Sequence, residues 1–301
     1  MSHAMAIETT GLTKRYGSIE AVRGLDLQVP AGSICGLLGP NGAGKTTTLK
    51  MLVGLTRPSG GTGHVLGRRI DDRNDSVAIR QRTGFVSEGK ELFEYMTVAE
   101  SIRFTSAFFP AWKPDVVSRC LERFGLSTTV RVAALSKGMR GRLYLLLVLA
   151  RGADVLLLDE PTDGLDPAAI EAFLQLLVGL VAESGATVLL SSHRLAEIEQ
   201  VADRIAILNR GQIVLNDSLD ALQSRYQRVH LVFDAEIPAA ALALARTRSG
   251  SSDGRTLSLL VGGEVESVVE QARAWHPRAV DVAPVTLKEI FLETTAEGRD
   301  A

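Results

Sequence analysis

The chain has 301 residues, 46% hydrophobic and 5% aromatic, enough for one large aliphatic core and a smaller one. Its net charge of −2 leaves no electrostatic footprint for DNA or RNA over the whole chain. The two cysteines, Cys35 and Cys120, form no C-x-x-C pair, so no metal or redox motif is signalled and the usage suits a reducing cytosol.

In chain order, the first six residues lack the charged start and apolar block of a signal peptide. Residues 7–15 and 21–29 read as strands, the second stopped by Pro30-Ala31-Gly32. Residues 33–38 read as a short buried strand that feeds a helix over 46–55. Short strands follow at 63–66 and 85–87. Residues 91–150 read as a helical insert, with a capping box at Thr97-Val98-Ala99-Glu100, a helix starting at Pro114 and ending at Gly125, and a long apolar helix from Met139. Residues 154–159 read as a fully buried strand, and Asp166-Pro167 as cap and first turn of a helix to about 183. A strand at 187–191, a helix at 195–202 and strands at 204–208 and 213–215 complete an alternating α/β pattern, which implies a largely parallel, doubly covered sheet. From about residue 220 the pattern changes to a small α+β appendage. Its strands lie near 229–233, 257–261 and 280–282, its helices near 239–245 and 264–275, and Gly250 to Gly254 forms a turn or loop. No stretch approaches the roughly 18 apolar residues of a membrane span, so the chain is expected to be soluble and to dock where it works at a membrane.

Three stretches carry chemistry. Gly39-Pro40-Asn41-Gly42-Ala43-Gly44-Lys45-Thr46-Thr47 fits G-x-x-x-x-G-K-[ST] between a strand and a helix. Glycines there let backbone N–H groups curl around phosphates, and the helix N-terminus adds partial positive charge. Lys45 would reach the β- and γ-phosphates, and Thr46 would offer its hydroxyl to Mg²⁺. Asp159 and Glu160 end an apolar strand, an expensive place for two acids that do nothing. In a phosphate-loop protein Asp159 can hold Mg²⁺ and Glu160 can polarise the attacking water. His193 follows the next strand and could donate to the γ-phosphate or orient the water. Ser136 and Gly138, at the start of a helix, would bind an anion, although alone they read as a helix cap.

In this order the pieces resemble the ATP-binding subunit of ABC transporters, a P-loop NTPase fold with an ABC-type core sheet and a helical subdomain. Gly39 to Thr47 matches the Walker A loop, Val155 to Glu160 Walker B with its catalytic glutamate, and His193 the switch histidine. Leu135-Ser136-Lys137-Gly138-Met139 is similar to the signature, with Lys and Met in place of Gly and Gln. Thr162 to Asp166 resembles the D-loop, and Tyr16 the aromatic residue that stacks on adenine. The resemblance covers about residues 7–219, and implies a cassette over 1–219 and an accessory domain over 220–301. Where the family has a Gln that contacts Mg²⁺ and faces the membrane subunit, this chain has Glu88, which implies tighter metal binding and altered coupling without loss of hydrolysis.

The resemblance further implies ATP and Mg²⁺ as ligands and two copies, or this chain and a related cassette, closing head to tail on two ATP molecules. Ser136 and Gly138 of one copy would then complete the site on the other, and Asp166 is a further nucleotide-binding residue that the resemblance implies. Transmembrane permease subunits would be the partners, not nucleic acid, and the chain would sit in the cytoplasm on the inner face of the cell membrane. Phe93 and Tyr95 would dock there or else belong to the core. The tail from Thr286 to Phe291 resembles subunits of ABC-2 type exporters. Two other classes stay open: a soluble ABC-class mechanochemical ATPase acting on nucleic acid or ribosomes, and a nucleotide-binding regulator that no longer hydrolyses. Intact Glu160 and His193 argue against the latter, and a single cassette without a long heptad insert argues against the former.

Overall fold

A computed structural model of the chain describes residues 4–87, 89, 91–247 and 250–296, which leaves Glu88 outside the described residues. The chain forms two compact units, Met1–Asn216 and Asp217–Ala301.

The first unit opens with long antiparallel strands, β1 (Met5–Tyr16) and β2 (Ile19–Pro30), followed by β3 (Ile34–Leu38) and helix α1 (Lys45–Leu52). Next come β4 (Gly60–Val65), β5 (Arg68–Arg69), α2 (Arg73–Arg82) and β6 (Thr83–Val86). The insert holds α3 (Val98–Ser106), α4 (Pro114–Phe124) and α5 (Lys137–Leu149). The rest of the unit alternates β7 (Val155–Asp159), α6 (Pro167–Ser184), β8 (Thr187–Ser191), α7 (Leu195–Glu199), β9 (Arg204–Asn209) and β10 (Gln212–Ser218).

Two sheets result, β2-β1-β4-β5 and β10-β9-β3-β8-β7-β6. In the second, β9, β3, β8, β7 and β6 pair in parallel. Every residue of β3, β7 and β8 is buried, the near-continuous apolar reading of strands covered on both faces. One core joins the sheets: Leu12 and Leu25 of the antiparallel sheet, Leu49 and Leu52 of α1, and Leu37, Leu157 and Leu189 of the parallel strands share it. Cys35 lies in this core, and burial pushes its thiol up to about 12, so it is an inert apolar filler.

Local rules fix the helix ends. The Thr97 hydroxyl accepts from Glu100 N–H at 3.2 Å and the Glu100 carboxylate accepts from Thr97 N–H at 2.8 Å, the expected capping box. Pro114 opens α4 and Gly125 ends it with φ 63°. The structure differs from the sequence reading in several places. Helix α2, capped by Asp72, was not expected. Helix α7 stops at Glu199 rather than 202, and β6 ends before Ser87.

Helix α6 is, among the described residues, the one helix long and apolar enough to cross a membrane, a match the sequence reading did not anticipate. It packs against α4, buries Ile170, Phe173, Leu174 and Leu177, and takes Arg119 to Glu183 at 2.6 Å on its outer side. It is a core helix with a wet edge.

The second unit continues from β10 with α8 (Leu219–Arg225), β11 (Tyr226–Val232), α9 (Ala239–Thr247), β12 (Ser251–Asp253), β13 (Thr256–Gly262), α10 (Val265–Arg273), β14 (Ala279–Pro284) and α11 (Leu287–Ala296). The sheet order β12-β13-β11-β14 with antiparallel neighbours is the ferredoxin-like split βαβ arrangement. Val229, Leu231, Leu257, Leu259 and Val261 form its own core with Val268 and Ala272 of α10. Strand β12 lies where only a turn was expected, and α8 and α11 were not expected.

If α6 is a core helix, Phe173→Ala leaves a cavity and lowers the unfolding free energy by about 3–5 kcal/mol. Urea unfolding measures it, and a loss below about 1 kcal/mol would show a helix that is not packed.

Candidate nucleotide site

Parallel strands end at a common edge, and ligands bind beyond such carboxyl ends. Here β3, β8 and β7 are neighbours, so the loop after β3 faces the acids after β7 and the histidine after β8. Between them lies a cleft of about 620 Å³, lined by Tyr16, Ala21, residues 41–47, Asp159, Glu160, Asp163 and His193.

The loop wall is set by close backbone approach. A Cβ on Gly39 would lie 2.3 Å from the Leu208 carbonyl oxygen. One on Gly44, whose φ is 107°, would lie 2.5 Å from the Ala21 carbonyl oxygen. Only glycine fits either place. Gly39 and Pro40 do not line the cleft; their carbonyls accept from the Lys45 ammonium at 2.7 and 3.4 Å. Lys45 and Thr46 lie in the first turn of α1, whose unpaired N–H groups and dipole favour an anion.

The acidic wall is set by strand register. Asp159 pairs with Ser191 across β7 and β8. Asp159 is 1% exposed; Oδ1 accepts from the Ser191 hydroxyl at 2.8 Å and Oδ2 has no hydrogen-bond partner among the described residues. Glu160 leaves the strand with φ 45°, the left-handed region that side chains avoid. Its N–H bonds to the Ser191 carbonyl at 3.2 Å and hydroxyl at 3.1 Å. The turned side chain places Oε2 at 2.9 Å from His193 Nδ1, which donates to it, and 3.3 Å from His193 N–H. Oε1 lies 3.9 Å from the Lys45 ammonium. Glu160, Asp163 and His193 bring ligand atoms within 4.8 Å of one another. Tyr16 forms the rim, 48% exposed, with the Lys14 ammonium 5.0 Å from its ring centre.

The cleft thus brings together Tyr16, Asn41 to Thr47, Asp159, Glu160 and His193 of the expected residues. It does not contain Ser136, Gly138 or Asp166. Ser136 caps α5, accepting from Met139 N–H at 3.2 Å. Asp166 caps α6, and the Ala169 N–H, with Arg142 behind it, holds its carboxyl below the usual carboxylate range. Three cleft or supporting residues were missed. Ala21 lies far from any motif. Asp163 lies in a motif whose last residue alone was chosen, and Ser191 stands two places before the chosen histidine.

The ABC transporter family model matches residues 22–163. The daunorubicin/doxorubicin resistance ATP-binding protein DrrA of Streptomyces peucetius is 34% identical over 315 residues, which cover 98% of this chain and 94% of that protein. The chain belongs to the ABC transporter ATP-binding proteins. The Nod factor export ATP-binding protein I of Burkholderia lata is 38% identical over 72% of each chain. An uncharacterized ABC transporter ATP-binding protein of Nostoc sp. is 38% identical over 71% of this chain, which spans 64% of that protein. A solved structure of an ATP-binding subunit of an ABC transporter superposes with a TM-score of 0.66 at 29% identity, covering 73% of this chain and 92% of that one. This ABC protein is a P-loop ATPase.

For this ABC protein the Gly44→Ala change adds a Cβ against the Ala21 carbonyl and forces a left-handed backbone. Strain of about 1–3 kcal/mol in the loop translates to about 10–100-fold weaker ATP binding. Equilibrium binding of a fluorescent ATP analogue measures it; unchanged affinity would show that the loop does not bind the phosphates.

Proposed function

We propose that the chain is the ATP-hydrolysing subunit of an exporter, working on the cytoplasmic face of a membrane with separate membrane-spanning subunits. The observation that carries the ATPase half is the cleft, in which a phosphate-type loop faces Glu160 across 3.9 Å from Lys45. In this reading the Lys45 ammonium exchanges the neutral Gly39 and Pro40 carbonyls for anionic β- and γ-phosphate oxygens, because opposite charges add Coulombic attraction that a neutral carbonyl lacks. Tyr16 stacks on the base.

Glu160 takes the proton of the attacking water, and His193 orients Glu160 through Nδ1. Thr46 and Asp159 fit Mg²⁺: a hard cation takes oxygen ligands, and the buried Asp159 Oδ2 has no hydrogen-bond partner among the described residues. Bound there, Mg²⁺ would neutralise charge developing on the β- and γ-phosphates. Glu88 would add an acid near the same phosphates.

Ser136 and Gly138 lie outside the cleft of their own chain, which supports a second ATP-binding subunit, identical or related, completing each site. Asp166 belongs to the same contact surface. Residues 1–219 would form the cassette and 220–301 an accessory domain.

The export half rests on relatives named for drug resistance and Nod factor export, and on an exposed aromatic row. Tyr95, Phe93, Phe104 and Phe108 stack in sequence with ring centres 5.8, 5.5 and 5.1 Å apart. Tyr95 is 70% and Phe108 64% exposed, so the row is surface rather than core. It borders a groove lined by Leu92, Phe109, Tyr144 and Arg151. Apolar patches of this kind mark interaction sites, and a membrane subunit is the partner they would take.

Two measurements test the reading. Glu160→Gln lowers ATP turnover by about 10²–10⁴-fold while ATP binding persists. Tagged Glu160→Gln recovers a multi-span membrane protein from solubilised native membranes, and adding Phe93→Asp and Phe108→Asp abolishes the recovery. Recovery of only ribosomal or DNA-associated proteins would overturn the exporter reading, and full turnover in Glu160→Gln would overturn the role of Glu160.

A further inference from the structure

The Ser191 hydroxyl touches the Asp159 carboxylate and the backbone N–H of Glu160. Ser191 ends β8 and is fully buried. A hydroxyl has one proton and two lone pairs. An ionised carboxylate only accepts, so the proton of Ser191 goes to Asp159 Oδ1, at 2.8 Å. A lone pair then accepts the Glu160 N–H at 3.1 Å, with the Ser191 carbonyl at 3.2 Å sharing it.

We propose that Ser191 is a positioning residue that sets both acids of the site with one side chain. The first effect falls on Asp159. Its carboxyl group can rotate about its last bond. With Oδ1 held by Ser191, Oδ2 is left as the unpartnered oxygen and is the one offered to a hard cation in the cleft. The hydroxyl thus selects the oxygen left for a cation. The second effect falls on Glu160. Its φ of 45° persists only where the surroundings hold it, and the Ser191 hydroxyl accepts the Glu160 N–H alongside the Ser191 backbone carbonyl. That backbone turn aims the Glu160 side chain at His193 and Lys45.

Partners one step behind a metal ligand are the usual means of orienting it, and their loss costs about 10–100-fold in metal affinity or activity. The inference rests on the roles given above to Asp159 and Glu160.

The test reads metal binding rather than turnover alone. The full chain is titrated with Mn²⁺ in the presence of a non-hydrolysable ATP analogue, by electron paramagnetic resonance, and the analogue's affinity is measured separately in EDTA. Ser191→Ala is expected to weaken Mn²⁺ binding about 10–100-fold and to leave metal-free analogue binding unchanged. Ser191→Thr keeps the hydroxyl and is expected to stay within about threefold of wild type for Mn²⁺, a difference of less than 1 kcal/mol.

Unchanged Mn²⁺ affinity in Ser191→Ala overturns the proposal. So does a parallel loss of metal-free binding, which would mark a packing role, or a threonine variant no better than alanine. If the alanine chain fails to fold, the threonine variant decides alone, with about a tenfold loss of Mn²⁺ affinity counting against the hydroxyl. Asp159→Asn serves as the reference. If it keeps full Mn²⁺ affinity, the assignment of Asp159 fails and not merely that of Ser191.

Discussion

A carboxylate at the end of an otherwise apolar strand is the constraint around which this site is built. Asp159 follows Val155-Leu156-Leu157-Leu158 and is 1% exposed. Taking an ionised carboxyl out of water carries a penalty of several kcal/mol that one hydroxyl donor does not offset. The chain offers that one donor, from Ser191, and leaves the second oxygen bare. Such an arrangement is stable enough to fold only because the neighbouring strands bury so much apolar surface. The same strands bring the rest of the chemistry to the same edge, since parallel neighbours end at one level.

Phosphate affinity on the opposite wall owes more to backbone than to net charge. The chain is slightly acidic overall. The loop concentrates donors instead: glycines at 39 and 44 let it pass against the Leu208 and Ala21 carbonyls, and α1 begins at once with Lys45. The Lys45 ammonium donates to its own loop's carbonyls, which keeps a buried charge satisfied without neutralising it. That leaves the cation exchangeable, which a tight ion pair would not. Its distance of 3.9 Å from Glu160 is close enough for attraction and too long for a good hydrogen bond.

Features governed by local rules were legible in the sequence. The phosphate loop, the acids after β7, the Thr97 capping box, and the Pro114 and Gly125 helix ends each depend on a handful of consecutive residues. What was not legible depends on partners far along the chain or on weak patterns. Helix α2 is polar almost throughout, Arg73-Asn74-Asp75-Ser76 opening it, so it shows little apolar periodicity. Strand β12 is three exposed residues, Ser251 to Asp253, made a strand only by pairing with β13. Without it the second unit could not be recognised as a split βαβ arrangement. Asp163 and Ser191 took their places through register and a loop path that spacing alone does not encode. The apolar run of α6 satisfies a membrane-span criterion, yet Phe173 and Leu177 are fully buried, because composition does not say which solvent a face meets.

The loop from Glu160 to Asp166 ties the cleft to the surface that carries Ser136. Asp163 lines the cleft, and its N–H returns to the Glu160 carbonyl at 3.2 Å. The next residue, Gly164, has φ 80°, and a Cβ on Gly138 would lie 3.3 Å from its carbonyl oxygen. Asp166 then binds both the start of α6 and Arg142 on α5. The stretch from Asp163 to Asp166 therefore joins the cleft to the first turn of α5 and the start of α6. Neither glycine has a side chain that would hold the two backbones apart. Ser136 and Gly138 thus sit beside a loop that lines the cleft without lining it themselves, because the path of residues 160–166 carries the backbone from the end of β7 to the first turn of α5.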